Sequence, residues 1–287
     1  MLLNFTKMHG CGNDYIYFDC FNGPMIDSPE TLSPILSDRH KGIGGDGIVL
    51  ILPPHACLTG EPVDAGMRMF NADGREGRMC GNAIRCVAKY VYDNNLANGS
   101  GHMRIWTQSG IRELEVFAEN GKVIAVKADV GRPEFFPGNI PVNLPGDSII
   151  SVPVEIGGST YEITCISVGS PHAVTFVDDV NAIDLPRVGP LFENNPLFPD
   201  GINTEFVEVI SRDRLRMRVW ERGSGITMAC GTGACAAVVA ATLNGHCDPR
   251  TDVTVELDGG ELVIHYTGDT LFMTGDCNLV FEGRIEV

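Results

Sequence analysis

Residues 67–86, MRMFNADGREGRMCGNAIRC, and residues 217–236, MRVWERGSGITMACGTGACA, carry one pattern twice, 150 positions apart. Each copy reads as a strand, a glycine-containing loop, a Cys-Gly pair and then a helix. Met67, Arg68, Met69 and Phe70 fall on Met217, Arg218, Val219 and Trp220, and Cys80-Gly81-Asn82 falls on Cys230-Gly231-Thr232. Identity between the copies is low, but matching order at one shared offset is the mark of an internal duplication. The expectation is two similar domains whose Cys-Gly corners meet at a common cleft.

The flanking sequence supports a mixed α/β fold. Strand-like stretches rich in β-branched and aromatic residues recur at Gly47–Leu52 (GIVLIL), Met103–Gln108, Leu114–Ala118, Lys122–Ala128, Thr204–Ile210, Leu215–Trp220 and Leu262–Tyr266. Asn120-Gly121 and Asp258-Gly259 are hairpin signals between them. Helical patterns are few. Asn82–Asn94 and Gly233–Leu243 are apolar nearly all round, which predicts central, buried helices. A third helix is expected around Thr31–Arg39.

The chain has 287 residues, enough for two domains of ordinary size, and a hydrophobic fraction of 44%. Its formal net charge of −16 repels phosphate backbones and anionic lipid, which argues against nucleic-acid and membrane-surface partners. MLLNFTKMHGCGNDY lacks a basic start followed by an apolar stretch, so no secretory signal is expected, and no window is apolar enough to span a bilayer. The ten cysteines are therefore expected as free thiols in a reducing cytoplasm, most of them packed as small apolar groups.

Cys80 and Cys230 stand apart because each precedes a helix. The N-terminal amides of a helix lack intrahelical partners, favour a thiolate and bind a carboxylate. Asn82 and Thr232 are the expected N-cap side chains. Two such corners would hold one carboxylate, with a sulfur on each face of its α-carbon. One thiolate could take the α-proton while the opposite thiol supplies another, which is epimerisation without a cofactor. Cys86 and Cys235, inside the helices, read as core; Cys11, in HGCGND, reads as packing. The cysteine spacings do not match structural zinc patterns, so no metal is expected. Residues 42–47, GIGGDG, satisfy G-x-G-x-x-G, but a helix precedes and a strand follows; this reversed order excludes dinucleotide binding. There is no signal for pyridoxal phosphate.

At these residues the sequence resembles the diaminopimelate epimerase family over nearly its whole length. The matching segments are KMHGCGNDY (7–15), HKGIGGDG (40–47), FNADGREGRMCGNAIRC (70–86), VGSPHAVTFVDD (168–179), DGINTEF (200–206) and RVWERGSGITMACGTGACA (218–236). The resemblance implies that Cys80 and Cys230 are the catalytic pair. It implies that Gly81-Asn82 and Gly231-Thr232 hold the reacting carboxylate, with Asn13 beside it. It places Asn71, Asn203, Glu221 and Arg222 at the distal amino-acid end of the substrate, where an Arg fork suits a carboxylate and a Glu an ammonium. His172 matches a histidine that the family keeps near the cysteines.

The resemblance also implies two pseudo-symmetric domains, each a curled, mainly antiparallel sheet around a central helix. They would span residues 1–130 with a returning 276–287, and 131–275, with a homodimer by analogy. Two positions depart from the family pattern. Ser170 stands where many members have an Asn that helps hold the distal end, and Ile226 stands where Glu is usual. Gly47 occupies a position that some members fill with Gln. The expected activity is interconversion of LL- and meso-diaminopimelate for lysine and peptidoglycan synthesis. The alternatives are a racemase of another amino acid, such as histidine, and a thiol redox switch.

Overall fold

The computed structural model describes residues 2–97 and 101–287 and divides the chain into two units, Met1–Asp129 with Thr274–Val287, and Val130–Met273. In chain order the first unit contains β1 (Leu2–Gly10), β2 (Asn13–Asp19), α1 (Pro29–Ser37), β3 (Gly47–Leu52), β4 (Ala65–Asn71), β5 (Glu76–Gly77), α2 (Gly81–Asp93), β6 (His102–Thr107) and β7 (Gly110–Glu119). β8 (Lys122–Gly131) leads to the second unit, with β9 (Ile149–Ile156), β10 (Ser159–Ser167), β11 (Pro171–Phe176), α3 (Leu185–Glu193), β12 (Asn203–Ser211), β13 (Arg214–Glu221) and β14 (Gly225–Ile226). Then come α4 (Gly231–Leu243), β15 (Asp252–Leu257), β16 (Gly260–Tyr266) and β17 (Leu271–Asp276), and β18 (Asn278–Glu286) returns to the first unit.

The duplication is explicit in the strand pairing. β1/β2 is antiparallel, β2/β3 parallel, β3/β4 and β4/β5 antiparallel, β4/β6 parallel and β6/β7 antiparallel. The series β10/β11, β11/β12, β12/β13, β13/β14, β13/β15 and β15/β16 repeats those senses in the same order. The outer partner of β1 is β18, and that of β10 is β9, both antiparallel. The mixed α/β architecture expected from the repeat is present, with four α-helices among the described residues.

Alternation along β3 shows how each sheet makes two cores. All six residues of GIVLIL are buried, the behaviour of a strand covered on both faces. Val49 and Ile51 pack with Ala83, Ile84 and Val87 of α2, whereas Ile48, Leu50 and Leu52 pack with Leu36 of α1 and Phe18. Side chains one residue apart point to opposite faces, so a single apolar run serves both helices. In the second unit Phe206 of β12 packs with Phe192 of α3, which leaves its neighbour Glu205 on the α4 side.

The two central helices are buried for different reasons. α4 is buried continuously from Gly233 to Ala241, and strands β10, β11, β12, β13, β15 and β16 pack around it. Its alanines favour helix and let strands approach from every side. α2 packs against β1, β2, β4, β6 and β7, and its buried set includes a charged residue, Arg85, at 0% exposure. No described helix is long and apolar enough to cross a membrane.

All ten cysteines are free, and eight of them carry no expected role beyond packing. Burial pushes the thiols of Cys11, Cys86 and Cys165 up to about 12, and those of Cys20, Cys57, Cys247 and Cys277 to about 11, from an ordinary 9.0. Between pH 9.0 and these values the folded chain retains thiol protons that the unfolded chain has lost. Raised folded values stabilise the fold fully below pH 9.0, and that contribution declines as pH rises towards 12. The urea midpoint, measured under reducing conditions, should fall steadily above about pH 9. A midpoint that is flat to about pH 11 would contradict this account of the core thiols.

Candidate active site

The first corner is built by a tight turn. Cys11 and Gly12 have φ of 50° and 78°, the left-handed pair that a two-residue hairpin between β1 and β2 requires. Asn13 follows at once. Its Nδ2 donates to Asp46 Oδ2 at 2.6 Å, which turns its Oδ1 towards α2, where it accepts from Cys80 Sγ at 3.5 Å and Asn82 Nδ2 at 3.4 Å. Asp46 is the acid of GIGGDG. That loop is tied down by Arg39, which bridges Asp14 at 2.6 Å and Asp46 at 3.0 Å, and by Lys7, which pairs with Asp14 and donates to the Gly44 carbonyl. The GIGGDG loop thus fixes the amide that faces the Cys80 thiol.

Cys80 is itself the N-cap residue of α2, with Gly81 and Asn82 in the first turn; Asn82 is not the cap. The amides of Asn82 and Ala83, the Arg85 guanidinium and the Tyr15 hydroxyl pull its thiol down, but burial outweighs them and holds it above its ordinary value. Arg85 donates to Asn82 Oδ1 at 2.9 Å, Gly81 O at 3.2 Å and Asp276 O at 3.1 Å, and Cys11 Sγ lies 3.7 Å from it. Cys11 is fully buried and its backbone N–H donates to Asp276 Oδ1, so it belongs to the support of this corner.

The second corner repeats the frame with different chemistry. Cys230, not Thr232, caps α4; its Sγ accepts the Gly233 N–H at 3.3 Å and lies 3.6 Å from Thr232 Oγ1. Thr232 Oγ1 is 3.2 Å from Ser170 Oγ, which is 2.9 Å from His172 Nε2, and His172 Nδ1 is 2.7 Å from Glu205 Oε1. His172 and Glu205 are fully buried and Cys230 is 6% exposed. Burial, Glu221 and Glu205 hold the Cys230 thiol well above its ordinary value, against Thr232 and the Gly233 amide. Helix amides act on both sulfurs as expected, yet desolvation decides the direction.

Donor atoms of His172, Glu205 and Cys230 lie within 4.8 Å of one another, a metal-like proximity. The imidazole and the carboxylate are bonded to each other, however, and the hydroxyls extend the chain to the sulfur. These hydrogen bonds tie the carboxylate, the imidazole and the two hydroxyls into one series that ends at the sulfur.

The remaining predicted residues fall as follows. Asn203 begins β12, and its Oδ1 accepts the Arg222 backbone N–H at 2.8 Å. The Arg222 guanidinium donates to Asp200 O at 2.8 Å, and Glu221 accepts the Thr227 hydroxyl. These three therefore share one end of β12 and β13. Asn71, at the equivalent end of β4, is exposed. Ile226 is 44% exposed on β14, opposite Trp220. Gly47, with φ of 157°, allows close strand approach: a Cβ there would meet Phe70 O at 2.1 Å. Sequence reasoning missed Asp46, Tyr15, Arg85 and Glu205. Nothing in the sequence around Glu205 (DGINTEFVEV) set it apart from Glu208 three residues on; only its buried, helix-facing position does.

Among known proteins, the family profile "Diaminopimelate epimerase" matches residues 5–136 and 164–280. A diaminopimelate epimerase from Acetivibrio thermocellus is 49% identical over 99% of both chains, and one from Desulfovibrio desulfuricans is 50% identical over 98% of both. Among solved structures, a phenazine biosynthesis protein of the PhzF family from Bacillus anthracis shares the fold, with a TM-score of 0.70 at 15% identity and full coverage of both chains.

Gly233 tests the placement of the buried carboxylate. A Cβ there would lie 2.6 Å from Glu205 Oε1 and 3.2 Å from Cys230 Sγ. Gly→Ala inside a helix ordinarily stabilises by up to about 1 kcal/mol. Glu205 is tied to His172 and cannot swing aside, so Gly233→Ala should instead destabilise by about 1–3 kcal/mol, read as a lower urea midpoint. Stabilisation would show that the carboxylate does not lie against the first turn of α4.

Proposed function

The chain belongs to the diaminopimelate epimerase family, and from that premise we propose that it interconverts LL- and meso-diaminopimelate by proton transfer between the α-carbon and two thiols, Cys80 and Cys230. The observation that carries this reading is the duplicated corner: each cysteine stands at the N-cap of a buried helix, with the Asn82 and Ala83 amides acting on Cys80 and the Gly233 N–H donating to Cys230 Sγ. One thiolate removes the α-hydrogen and the other thiol returns a proton to the opposite face, which inverts the centre. The α-carboxylate rests on the amides of Gly81-Asn82 and Gly231-Thr232, which also stabilise the charge spreading onto it in the transition state. Asn13 is held beside this end by Asp46.

The raised thiol values fit the task. An α-hydrogen of an amino acid is a weak acid, and a desolvated thiolate is a stronger base than a solvated one. The cost of forming it falls on the amides, Arg85 and Tyr15 at one corner, and on Thr232 and the Gly233 amide at the other. At the distal end, Arg222 meets the second carboxylate and Glu221 the ammonium, with Asn71 and Asn203 assisting. We read the chain as a cytoplasmic isomerase of lysine and peptidoglycan precursor synthesis. It uses no cofactor and pairs with a second copy of itself, and neither nucleic acid nor membrane is a partner.

In heavy water the protein should replace the α-hydrogen of LL- or meso-diaminopimelate with deuterium while forming the other isomer. Turnover confined to monoamino, monocarboxylic acids would reject the substrate. Cys80→Ala and Cys230→Ala, made singly, should each lower kcat/KM by at least about 10³, or about 4 kcal/mol. Either variant retaining a tenth of wild-type activity would end the two-thiol mechanism. Arg222→Met should raise KM for diaminopimelate far more than it lowers kcat.

A further inference from the structure

The two corners share a frame but not a lining, and they differ in the side chains around the sulfurs. Tyr15 pairs with Gly47 across β2/β3 at the place where His172 pairs with Asn203 across β11/β12. Two residues along, Val49 opposes Met69 in the first unit and Glu205 opposes Val219 in the second. Asn13 and Ser170 precede Tyr15 and His172 by the same two positions. The first corner therefore has an amide, a phenol and an apolar residue where the second has a hydroxyl, an imidazole and a carboxylate.

In the second corner these groups form an unbroken series. Glu205 Oε1, His172 Nδ1 and Nε2, Ser170 Oγ, Thr232 Oγ1 and Cys230 Sγ follow one another at 2.7, 2.9, 3.2 and 3.6 Å. The first three members reproduce the order of a hydroxyl–imidazole–carboxylate triad. The other oxygen of the carboxylate, Oε2, is buried without a hydrogen-bond partner. A fully buried carboxylate half-satisfied in this way is costly unless a cation or proton is held beside it. The other titratable or charged groups facing this series are Glu221 at the end of β13 and Cys165 on β10.

We propose that Glu205, His172, Ser170 and Thr232 form a proton relay that takes the Cys230 proton into the protein and returns it, so that this thiol ionises without releasing its proton to solvent. The Cys230 S–H proton moves to Thr232 Oγ1, the Thr232 hydroxyl proton to Ser170 Oγ, and the Ser170 hydroxyl proton to His172 Nε2. The Nδ1–H bond to Glu205 is kept throughout. One S–H bond is lost and one N–H bond gained; both hydroxyls end as they began. The product is a thiolate and an imidazolium whose charge Glu205 balances. Reversal returns the thiol.

A two-base epimerase needs such a device, because each turnover leaves the two sulfurs in exchanged protonation states; this purpose rests on the function proposed above. Ser170 is thus a positioning residue acting through Thr232, and the departure from the family pattern at 170 has a use at the reacting end of the site.

The test needs no substrate, so it stands apart from the identity of the reaction. The Cys230 peptide is quantified by mass spectrometry after brief exposure of the intact protein to iodoacetamide from pH 5.5 to 10. A thiolate–imidazolium pair gives a neutral-pH limb of alkylation beside the ordinary alkaline one. Ser170→Ala should lower the Cys230 rate at pH 7 by about tenfold or more while leaving the alkaline limb and the Cys80 rate in place. Ser170→Thr should keep the neutral limb. Glu205→Gln, which preserves volume and the bond to His172 but not the charge, should abolish it. A single alkaline titration in the wild type, or a neutral limb surviving in Ser170→Ala, would overturn the relay. If the relay limb is present and diaminopimelate is not turned over, the reaction assigned above fails alone.

Discussion

A sulfur at the first position of a buried helix is subject to two opposed forces, and the rest of this structure is arranged around them. Unpaired amides at the helix start stabilise a thiolate, and removal from water destabilises it. Desolvation wins at both Cys80 and Cys230. Both thiols lie above their ordinary value, and the few groups that each corner places within reach oppose that shift. The sheets matter because they fix the helix starts. β10 to β13, β15 and β16 close around α4, and the hairpin turn at Cys11-Gly12 delivers Asn13 to Cys80.

Duplication supplied two equivalent corners, and divergence gave them different surroundings. The first corner keeps a buried cation, Arg85, five residues beyond its cysteine; the equivalent place in α4 is Cys235, an apolar core residue. The second corner instead buries Glu205 with His172, on the helix-facing side of strands whose equivalents in the first unit carry Val49 and Tyr15. A cation near one sulfur and carboxylates near the other make the two corners electrostatically unlike. The same strand positions that build the core in one copy carry a buried histidine and carboxylate in the other.

Much of this was legible in residue order. The repeat offset, the two buried helices, the reversed order around GIGGDG and the strands such as GIVLIL all appear in the structure, because periodicity and turn residues act locally. Strands β1, β2, β9, β10, β11, β15, β17 and β18 were not among those read from the sequence; β1/β2 and β9/β10 are short hairpins, whereas the other partner of β1 is β18, at the far end of the chain. The capping assignment erred by two residues: Cys80 and Cys230 take the cap themselves, and Asn82 and Thr232 lie inside the first turn. The expected lowering of the thiols failed for a tertiary reason, since burial is a property of what packs around the helix and is invisible in the helix's own residues.

By itself, the sequence determined that two Cys-Gly corners exist, that a helix follows each, and that both descend from one unit, since these depend on local order and on a repeat. Only the tertiary structure decided what stands behind each sulfur. Asp46 lies 33 residues from Asn13, and Glu205 lies 33 residues from His172, yet each pair is in hydrogen-bond contact. Parallel strand pairing creates both contacts by setting register between segments that a helix and loop keep apart in sequence. Register, and the face of the sheet on which a side chain lands, made one of the two acids of β12 a partner for a buried histidine.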